Sequence, residues 1–356
     1  MHHPRRPRVL AARPLHRAAL RPPAAEARAV STLLEVEGLT VVTRDDPSAE
    51  IVSSVSFSLD RHEALGLAGE SGCGKTTTAL SLLGLLPDGL QRSAGELRFH
   101  GSGGLRRLDR LSPRQLRSVR WASISMIFQG AMNALDPVMP IGDQIGEAIR
   151  LHESDLGRAA VAARVRELLD QVHVRADRAG HYPHEFSGGQ RQRLMIALAL
   201  ACRPELVIGD EPTTALDVIT QAQILELLGE LRRELGLAVL LITHDLSVLA
   251  ETCDRIAVMY AGQIVESGPV DTVFAAPQHP YTRRLLDMFA ADEGDGRLPT
   301  PIPGAQPPIG EQLPGCRFAP RCTHARARCE QEEPALLTVA GGHDARCHFA
   351  PWDGAT

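Results

Sequence analysis

The clearest chemical signal in the sequence is a glycine-rich stretch that contains its only lysine. The chain has 38 lysines and arginines in 356 residues, and Lys75 of "GESGCGKTT" is the single lysine among them. The spacing Gly-x4-Gly-Lys-Thr, between an apolar run and a helical run, is typical of a loop that surrounds phosphate groups with backbone N–H groups. Lysine suits such a loop because its charge sits on a thin stem, whereas arginine presents a broad fork. The residues predicted to bind the phosphates are Gly69, Ser71, Gly72, Cys73, Gly74, Lys75, Thr76 and Thr77.

A pair of acids further along the chain complements this loop. Asp210 and Glu211 end the apolar run of "LVIGDEP", which is typical of a buried strand. In a phosphoryl-transfer site Lys75 would bridge the β- and γ-phosphates, while the Thr76 hydroxyl and Asp210 would hold Mg²⁺. Glu211 would then polarise the attacking water as the general base.

The elements that must position these residues alternate between strands and helices. Short buried-type strands are predicted at "EALGLAG", "ISMIF", "ELVIG" and "AVLLIT", with amphipathic helices between them. Val161, Val165, Leu168 and Val172 form one apolar helical face. The helix "KTTTALSLLGLL" is expected to end at Pro87, and "RIAVMYAGQIVESG" to turn at Ala261–Gly262. This alternation predicts an α/β domain with a largely parallel sheet.

Composition excludes several classes of protein. The formal charge of −5 shows no basic excess, so no nucleic-acid partner is expected. The longest apolar runs are far shorter than the ~20 residues of a membrane-spanning helix, so any membrane role would be peripheral. Residues 1–30 carry seven arginines and one acid and are broken by proline, which predicts a disordered extension rather than a signal peptide. A weaker alternative is attraction to an anionic membrane surface.

The order of the motifs indicates a family. "GESGCGKTT", "IFQ", "FSGGQ", "LVIGDEPTTALD" and "LITHD" together resemble the nucleotide-binding subunit of ATP-binding cassette (ABC) transporters, over roughly Leu33 to Ala290. The resemblance implies a mostly parallel sheet core, an N-terminal antiparallel β-subdomain and an inserted helical subdomain. The predicted domains are an N-terminal extension 1–30, an ATPase domain 31–290 with its helical subdomain at about 130–186, and a small loop-rich C-terminal module 291–356.

The resemblance also implies roles for single residues. Gln129 would sense the γ-phosphate, contribute to the Mg²⁺ site and face the membrane subunit. His244 would contact the γ-phosphate, and Asp217 would lie in the loop between two ATPase subunits. The residues of the family signature, which caps ATP bound to the opposite subunit, would be Ser187, Gly188, Gly189 and Gln190. The implied assembly is a head-to-tail dimer that holds two ATP molecules and opens after hydrolysis.

Two positions depart from the family pattern. Thr43 stands where an aromatic side chain usually stacks on adenine, so no stacking residue is predicted. Cys73 replaces a commoner serine in the phosphate loop. Because it lies near a helix N-terminus, its thiol pKa is expected to be lowered, and its alkylation to block ATPase activity.

The C-terminal module narrows the branch of the family. "HPYTRRLL", "IPG" and "PGCRFAPRC" resemble the C-terminal extension of oligopeptide/dipeptide importer ATPases. The last 41 residues hold four cysteines, Cys316, Cys322, Cys329 and Cys347. Their spacing lacks the close Cys pairs of most zinc sites. The resemblance implies a [4Fe–4S] cluster on the four thiols; zinc, with His343 or His348 as further ligands, and free thiols remain alternatives.

The function that the resemblance implies is ATP hydrolysis that powers peptide import. The expected partners are two transmembrane permease subunits, a second ATPase subunit and an extracytoplasmic substrate-binding protein, at the cytoplasmic face of the membrane. A nickel or other small-solute importer of the same branch is the nearest alternative. A soluble ABC ATPase of translation or DNA repair is disfavoured, because neither tandem cassettes nor a long coiled-coil insertion is present.

Overall fold

The computed structural model describes residues 32–130, 134–214, 216–292 and 301–352. The predicted N-terminal extension 1–30 lies outside the described residues. The strands are β1 Thr32–Thr43, β2 Glu50–Asp60, β3 Ala64–Ala68, β4 Leu90–Gly101, β5 Gly104–Arg107, β6 Ile124–Ile127, β7 Leu206–Asp210, β8 Ala238–Ile242, β9 Arg255–Tyr260, β10 Gln263–Pro269, β11 Leu337–Ala340 and β12 His343–Ala345. The helices are α1 Lys75–Leu82, α2 Pro113–Val119, α3 Ile141–His152, α4 Arg158–Gln171, α5 Gly188–Leu200, α6 Val218–Leu235, α7 Leu246–Thr252, α8 Val270–Ala275, α9 Pro280–Asp292 and α10 Ala327–Gln331.

The main sheet has eight strands in the order β11-β12-β10-β9-β3-β8-β7-β6. The strands from β9 to β6 run parallel to one another, which confirms the predicted α/β class. The carboxyl ends of β3, β8, β7 and β6 therefore meet at one edge of the sheet, where ligands of α/β folds usually bind. The segments that follow these four strands carry the phosphate loop, His244, the Asp210–Glu211 pair and Gln129.

A second sheet is antiparallel and has the order β2-β1-β4-β5. Its apolar face packs on α1 and on the main sheet, in a core that includes Leu34, Val55, Phe99 and Leu240. The N-terminal antiparallel β-subdomain expected from the sequence is thus present.

The helices between β6 and β7 form a second core. Val161, Val165, Leu168 and Val172, the predicted apolar face, are all buried, and they belong to a cluster shared by α3, α4, α5 and α6. The helical spacing of these residues places them on one side of α4, and this side packs against the neighbouring helices.

One helix boundary was predicted wrongly. Helix α1 ends at Leu82, five residues before Pro87. Gly84 adopts φ +60, outside the helical region, and the Arg120 guanidinium donates hydrogen bonds to the carbonyl oxygens of Leu83 and Gly84. The Gly84 N–H donates to the Ser81 carbonyl oxygen at 3.2 Å and the Leu85 N–H to the Leu80 carbonyl oxygen at 2.9 Å, the pair of bonds that closes a helix at a left-handed glycine, so the chain leaves the helix before the proline is reached.

The C-terminal residues 301–352, called the C-terminal segment below, pack directly on the ATPase core. They are loop-rich, as predicted, but β12 pairs antiparallel with β10 and β11 pairs with β12, so the segment extends the main sheet. The β9–β10 hairpin turns at Ala261 and Gly262, with φ +45 and +85, as the sequence predicted. In the described part of the chain, no helix is both long and apolar enough to cross a membrane.

Candidate nucleotide-binding site

The phosphate loop connects β3 to α1 and encloses the lysine side chain. Lys75 is 6% exposed, and its Nζ donates to the carbonyl oxygens of Gly69 at 2.7 Å and Glu70 at 3.0 Å. Gly69 has φ +147, and a Cβ there would lie 2.3 Å from the Met259 carbonyl oxygen. Only glycine fits this position, so the chain can turn tightly enough to hold the ammonium group inside the loop.

Two of the three predicted magnesium ligands lie next to each other, while the third, Gln129, donates its side-chain amide to Glu211. The Thr76 hydroxyl donates to Asp210 Oδ1 at 3.1 Å, and Asp210 at the end of β7 is 1% exposed. Burial raises the pKa of Asp210, the Glu211 charge raises it further, and the Thr76 hydrogen bond opposes them. A hydroxyl and a carboxylate oxygen side by side are the hard ligands that Mg²⁺ prefers.

Glu211 is held by three side chains that converge on its carboxylate. Gln129 Nε2 and Thr214 Oγ1 donate to Oε2 at 2.8 and 2.9 Å, and His244 Nδ1 lies 3.2 Å from Oε1. Partial burial alone would raise the pKa of Glu211, but the hydrogen bonds from Thr214, His244 and Gln129 together lower it below 4.5. Glu211 also has φ +46, a conformation that non-glycine residues rarely adopt and that is concentrated at functional sites.

The structure thus brings together Gln129, Glu211 and His244, the residues predicted for catalysis, from the ends of three different strands. Sequence reasoning did not assign Thr214, although it lies in the quoted motif "LVIGDEPTTALD"; a hydroxyl three residues after Glu211 was the available signal. It also missed Glu70, Tyr281 and Arg321, whose contacts with the loop join residues more than 200 positions apart.

The prediction of a reactive Cys73 is wrong in its physical basis. The side chain is 1% exposed, and burial raises the thiol pKa above its usual value of 9.0, although the nearby Lys75 ammonium works in the opposite direction. The thiol lies inside the turn, with Sγ 3.7 Å from Lys75 Nζ. Desolvation therefore outweighs the helix N-terminus that the prediction relied on.

The signature residues lie apart from this cluster. Ser187 caps α5 in a reciprocal capping box, in which the Gln190 N–H donates to Ser187 Oγ at 3.3 Å and the Ser187 N–H to Gln190 Oε1 at 3.2 Å. Asp217 caps α6 by accepting from the Thr220 N–H at 2.9 Å. Gly189 packs against Thr220, and a Cβ there would lie 2.5 Å from its methyl group. These hydrogen bonds order the N-termini of α5 and α6.

The four C-terminal cysteines converge on one small cavity. Cys316, Cys322, Cys329 and Cys347 all line it, beside His348 and Phe349. The Cys316 N–H donates to the Cys329 carbonyl oxygen at 2.7 Å. Burial, followed by the neighbouring cysteines, raises the pKa of Cys316 to about 11.

The two histidines considered as further ligands are engaged elsewhere. His343 Nε2 pairs with Glu266 at 2.7 Å, and His348 Nε2 lies 2.9 Å from the Glu332 carbonyl oxygen. Across the described ranges, no group of three or more His, Cys, Asp or Glu side chains is arranged to hold a single metal ion. In the described ranges the four thiols therefore share one cavity, but they are not arranged as the ligands of a single metal ion.

Solved structures place this fold among ABC cassettes. The dimeric ATP-binding cassette MJ0796, in a post-hydrolysis state bound to ADP and Pi, matches 67% of this chain and 99% of its own with a TM-score of 0.58 and 25% identity. The structure of cbiO1 from Clostridium perfringens, part of the ABC transporter complex cbiONQ, matches 68% of this chain and 91% of its own, also at TM-score 0.58 and 25% identity.

Sequence comparisons identify the branch. The ABC transporter family model matches residues 52–214, and the model "Oligopeptide/dipeptide transporter, C-terminal region" matches 265–329. A protein of Brucella abortus that is named as a putative peptide import ATP-binding protein is 49% identical over 319 residues, covering 88% of this chain and 94% of that protein. The dipeptide transport ATP-binding protein DppD of Escherichia coli is 42% identical over 326 residues, covering 91% and 98%. This chain belongs to the ABC transporter ATP-binding family, in its oligopeptide/dipeptide branch, and the predicted ATPase class is confirmed.

Proposed function

We propose that this protein hydrolyses ATP to power the import of di- and oligopeptides across the cytoplasmic membrane, as part of a binding-protein-dependent ABC transporter. The proposal is supported by the presence in one chain of both a catalytic cluster and a peptide-transporter C-terminal region. Gln129, Glu211 and His244 converge beside the phosphate loop. The same chain continues into a C-terminal region that matches the oligopeptide/dipeptide transporter model.

The chemistry follows from the contacts around the phosphate loop. Lys75 exchanges its bonds with the loop carbonyls for the β- and γ-phosphates, and the loop N–H groups surround the same oxygens. Thr76 and Asp210, with Gln129, would hold Mg²⁺, which would supply charge neutralisation at the phosphates. Glu211, kept ionised by its hydrogen-bond donors, accepts the proton of the attacking water, and His244 reaches the γ-phosphate from its exposed position.

A second ATPase subunit completes the site. Ser187, Gly188 and Gly189 open the N-terminus of α5, and a helix N-terminus suits an anion, here the ATP bound to a partner subunit. Beside Asp217, the side chains of Val218 and Ile219 are 83% and 73% exposed. Exposed apolar side chains next to a proposed interface residue support burial against a second copy or a related chain.

Two transmembrane permease subunits provide the path for the peptide. Phe128, which precedes Gln129, and Val138, on the same connection between β6 and α3, are 40% and 80% exposed. An apolar surface beside the γ-phosphate sensor suits a contact that transmits nucleotide state to a permease. The protein would then lie peripherally at the cytoplasmic face, and an extracytoplasmic substrate-binding protein would deliver the peptide.

The four C-terminal thiols are proposed to hold a [4Fe–4S] cluster. Four cysteines around one cavity are the donor set of such a cluster, which takes one thiolate per iron. Full-length protein prepared without oxygen should contain about four iron and four sulfide per chain. Stoichiometric zinc without iron would contradict the cluster.

The test of the function is reconstitution with the permeases. The chain should co-purify with two permeases and, in vesicles supplied with the binding protein, drive ATP-dependent uptake of labelled dipeptide. Glu211→Gln should abolish uptake, while Glu226→Gln, on the exposed face of α6, should not. Uptake of nickel but not of peptide by the same complex would overturn the substrate class and leave the ATPase assignment intact.

A further inference from the structure

The C-terminal segment holds the phosphate loop through a two-pronged ion pair. Arg321 Nη1 donates to Glu70 Oε2 at 2.9 Å and Nη2 to Oε1 at 3.2 Å, so the guanidinium fork faces the carboxylate with both nitrogens. Gln306 Nε2, from the same segment, donates to Oε2 at 2.6 Å. Glu70 directly follows the first glycine of the loop, so this pair links residues 251 positions apart at the nucleotide site. Bidentate pairs of this kind fix orientation as well as distance.

Arg321 is itself rigidly held. Its side chain is 6% exposed, against 27% for Glu70. Its Nε donates to the Pro303 carbonyl oxygen at 2.9 Å, and its guanidinium carbon lies 5.7 Å from the centre of the Tyr260 ring. The fork is therefore also held by contacts other than the one with Glu70.

The backbone of Glu70 is held from both sides as well. Its N–H donates to the Tyr281 hydroxyl at 2.9 Å, and its carbonyl oxygen accepts from Lys75 Nζ at 3.0 Å. Tyr281 is 0% exposed and packs on Tyr260 and Phe318, with ring centres 4.7 and 5.5 Å away. The N–H, the carbonyl oxygen and both carboxylate oxygens of Glu70 thus all have partners.

A second arginine of the segment supports the opposite end of the loop. Arg317 Nη1 donates to the Ala261 carbonyl oxygen at 2.6 Å. The next residue, Gly262, donates its N–H to the Cys73 carbonyl oxygen at 2.9 Å. The loop is therefore supported at Glu70 directly and at Cys73 through the β9–β10 turn.

We propose that Arg321 is a positioning residue for ATP binding: by fixing Glu70, it holds the phosphate loop in its binding conformation before nucleotide arrives. The inference rests on the proposed ATP site at this loop. A loop that is already ordered loses less conformational entropy when phosphate binds, so preorganisation strengthens binding without adding a contact to the ligand. Arg321 touches neither Lys75 nor Glu211, so it should change ATP affinity and leave the rate of the bound complex unchanged.

The test uses the full-length chain and Arg321→Met, which keeps an unbranched, flexible side chain and removes the guanidinium fork. We expect the Kd for a fluorescent ATP analogue and the KM for ATP to rise about tenfold, equal to about 1.4 kcal/mol, with kcat within twofold. Arg328→Met is the matched control, because Arg328 pairs with Glu332 in the same segment while both side chains are more than half exposed. Its Kd, KM and thermal midpoint should equal those of wild type.

A double-mutant cycle separates positioning from general stability. Glu70→Gln should raise the Kd to a similar extent, and the double variant should be no worse than either single variant, because both remove the same interaction. Arg321→Lys should rescue only partly, because an ammonium restores the charge without the fork. Multiplying effects in the double variant, an unchanged Kd in Arg321→Met, or a fall in kcat with KM unchanged would each overturn the proposal.

The role proposed for Arg321 can fail without affecting the ATP site or the peptide substrate. ATP-analogue binding by wild type and its loss in Lys75→Ala would establish the nucleotide site whatever Arg321 does. The peptide substrate is tested only by the vesicle assay, so a failed cycle would leave it untouched.

Discussion

Replacing Glu211 with glutamine tests the catalytic geometry most directly. Glutamine has the same size and keeps one acceptor oxygen, but it cannot take a proton from water. Loss of a positioned general base lowers kcat by about 10²- to 10⁴-fold, equal to about 2.7–5.5 kcal/mol in the barrier. The new amide must also meet the Gln129 amide and the Thr214 hydroxyl, which both donate to the carboxylate now present. We therefore expect the loss to lie toward the upper end of that range.

Nucleotide binding should survive the same substitution. Lys75 Nζ donates to the carbonyl oxygens of Gly69 and Glu70, and Thr76 Oγ1 donates to Asp210, so none of these bonds depends on the Glu211 side chain. We expect the Kd for an ATP analogue to stay within about threefold of wild type, with phosphate release measured on the same samples. Glu226→Gln, on exposed α6, controls for loss of one acidic charge. Turnover above a tenth of wild type, or loss of ATP binding together with turnover, would refute the assigned role.

Three further predictions follow from burial and charge. Because hydrogen bonds lower the pKa of Glu211 below 4.5, its carboxylate should stay ionised as pH falls from 8 to 5 and be protonated only below that. The infrared difference spectrum between wild type and Glu211→Gln measures this, and a protonated carboxyl band above pH 5 would contradict it. Cys73 should resist iodoacetamide in the native chain at neutral pH and react in the unfolded chain, as read by mass spectrometry; rapid native labelling would contradict its burial. Glu266→Gln should lower the free energy of unfolding by about 3 kcal/mol, seen as a lower midpoint in thermal unfolding, because the fully buried carboxylate accepts from two backbone N–H groups and His343; Glu332→Gln is the exposed control, and equal midpoints would disprove the role.

The parts of this site that sequence could predict are those whose chemistry is local. The turn around Lys75 needs glycines at fixed spacing, and a strand that ends in two acids carries its own pattern, so both could be recognised within a dozen residues. The parallel direction of β3, β8, β7 and β6 followed from the alternation of strands and helices, because parallel strands require crossover connections; their order in the sheet was not predicted. Helix α1 was predicted too long because Gly84, in a left-handed conformation, closes the helix before Pro87 is reached; this signal was local and present in the sequence.

What sequence could not predict depends on burial and on contacts between distant segments. Proximity to a helix N-terminus suggested a low pKa for Cys73, but desolvation inside the loop reverses the sign, and burial is visible only in three dimensions. The same holds for Glu70: an acid beside a phosphate-binding loop looks unfavourable in the sequence, because it would repel the ligand. In the folded chain Arg321 pairs with this carboxylate and neutralises its charge. Glu70 is thereby the residue through which the C-terminal segment contacts the phosphate loop. This explains how an extension far along the chain can be part of the ATPase rather than an appendage to it.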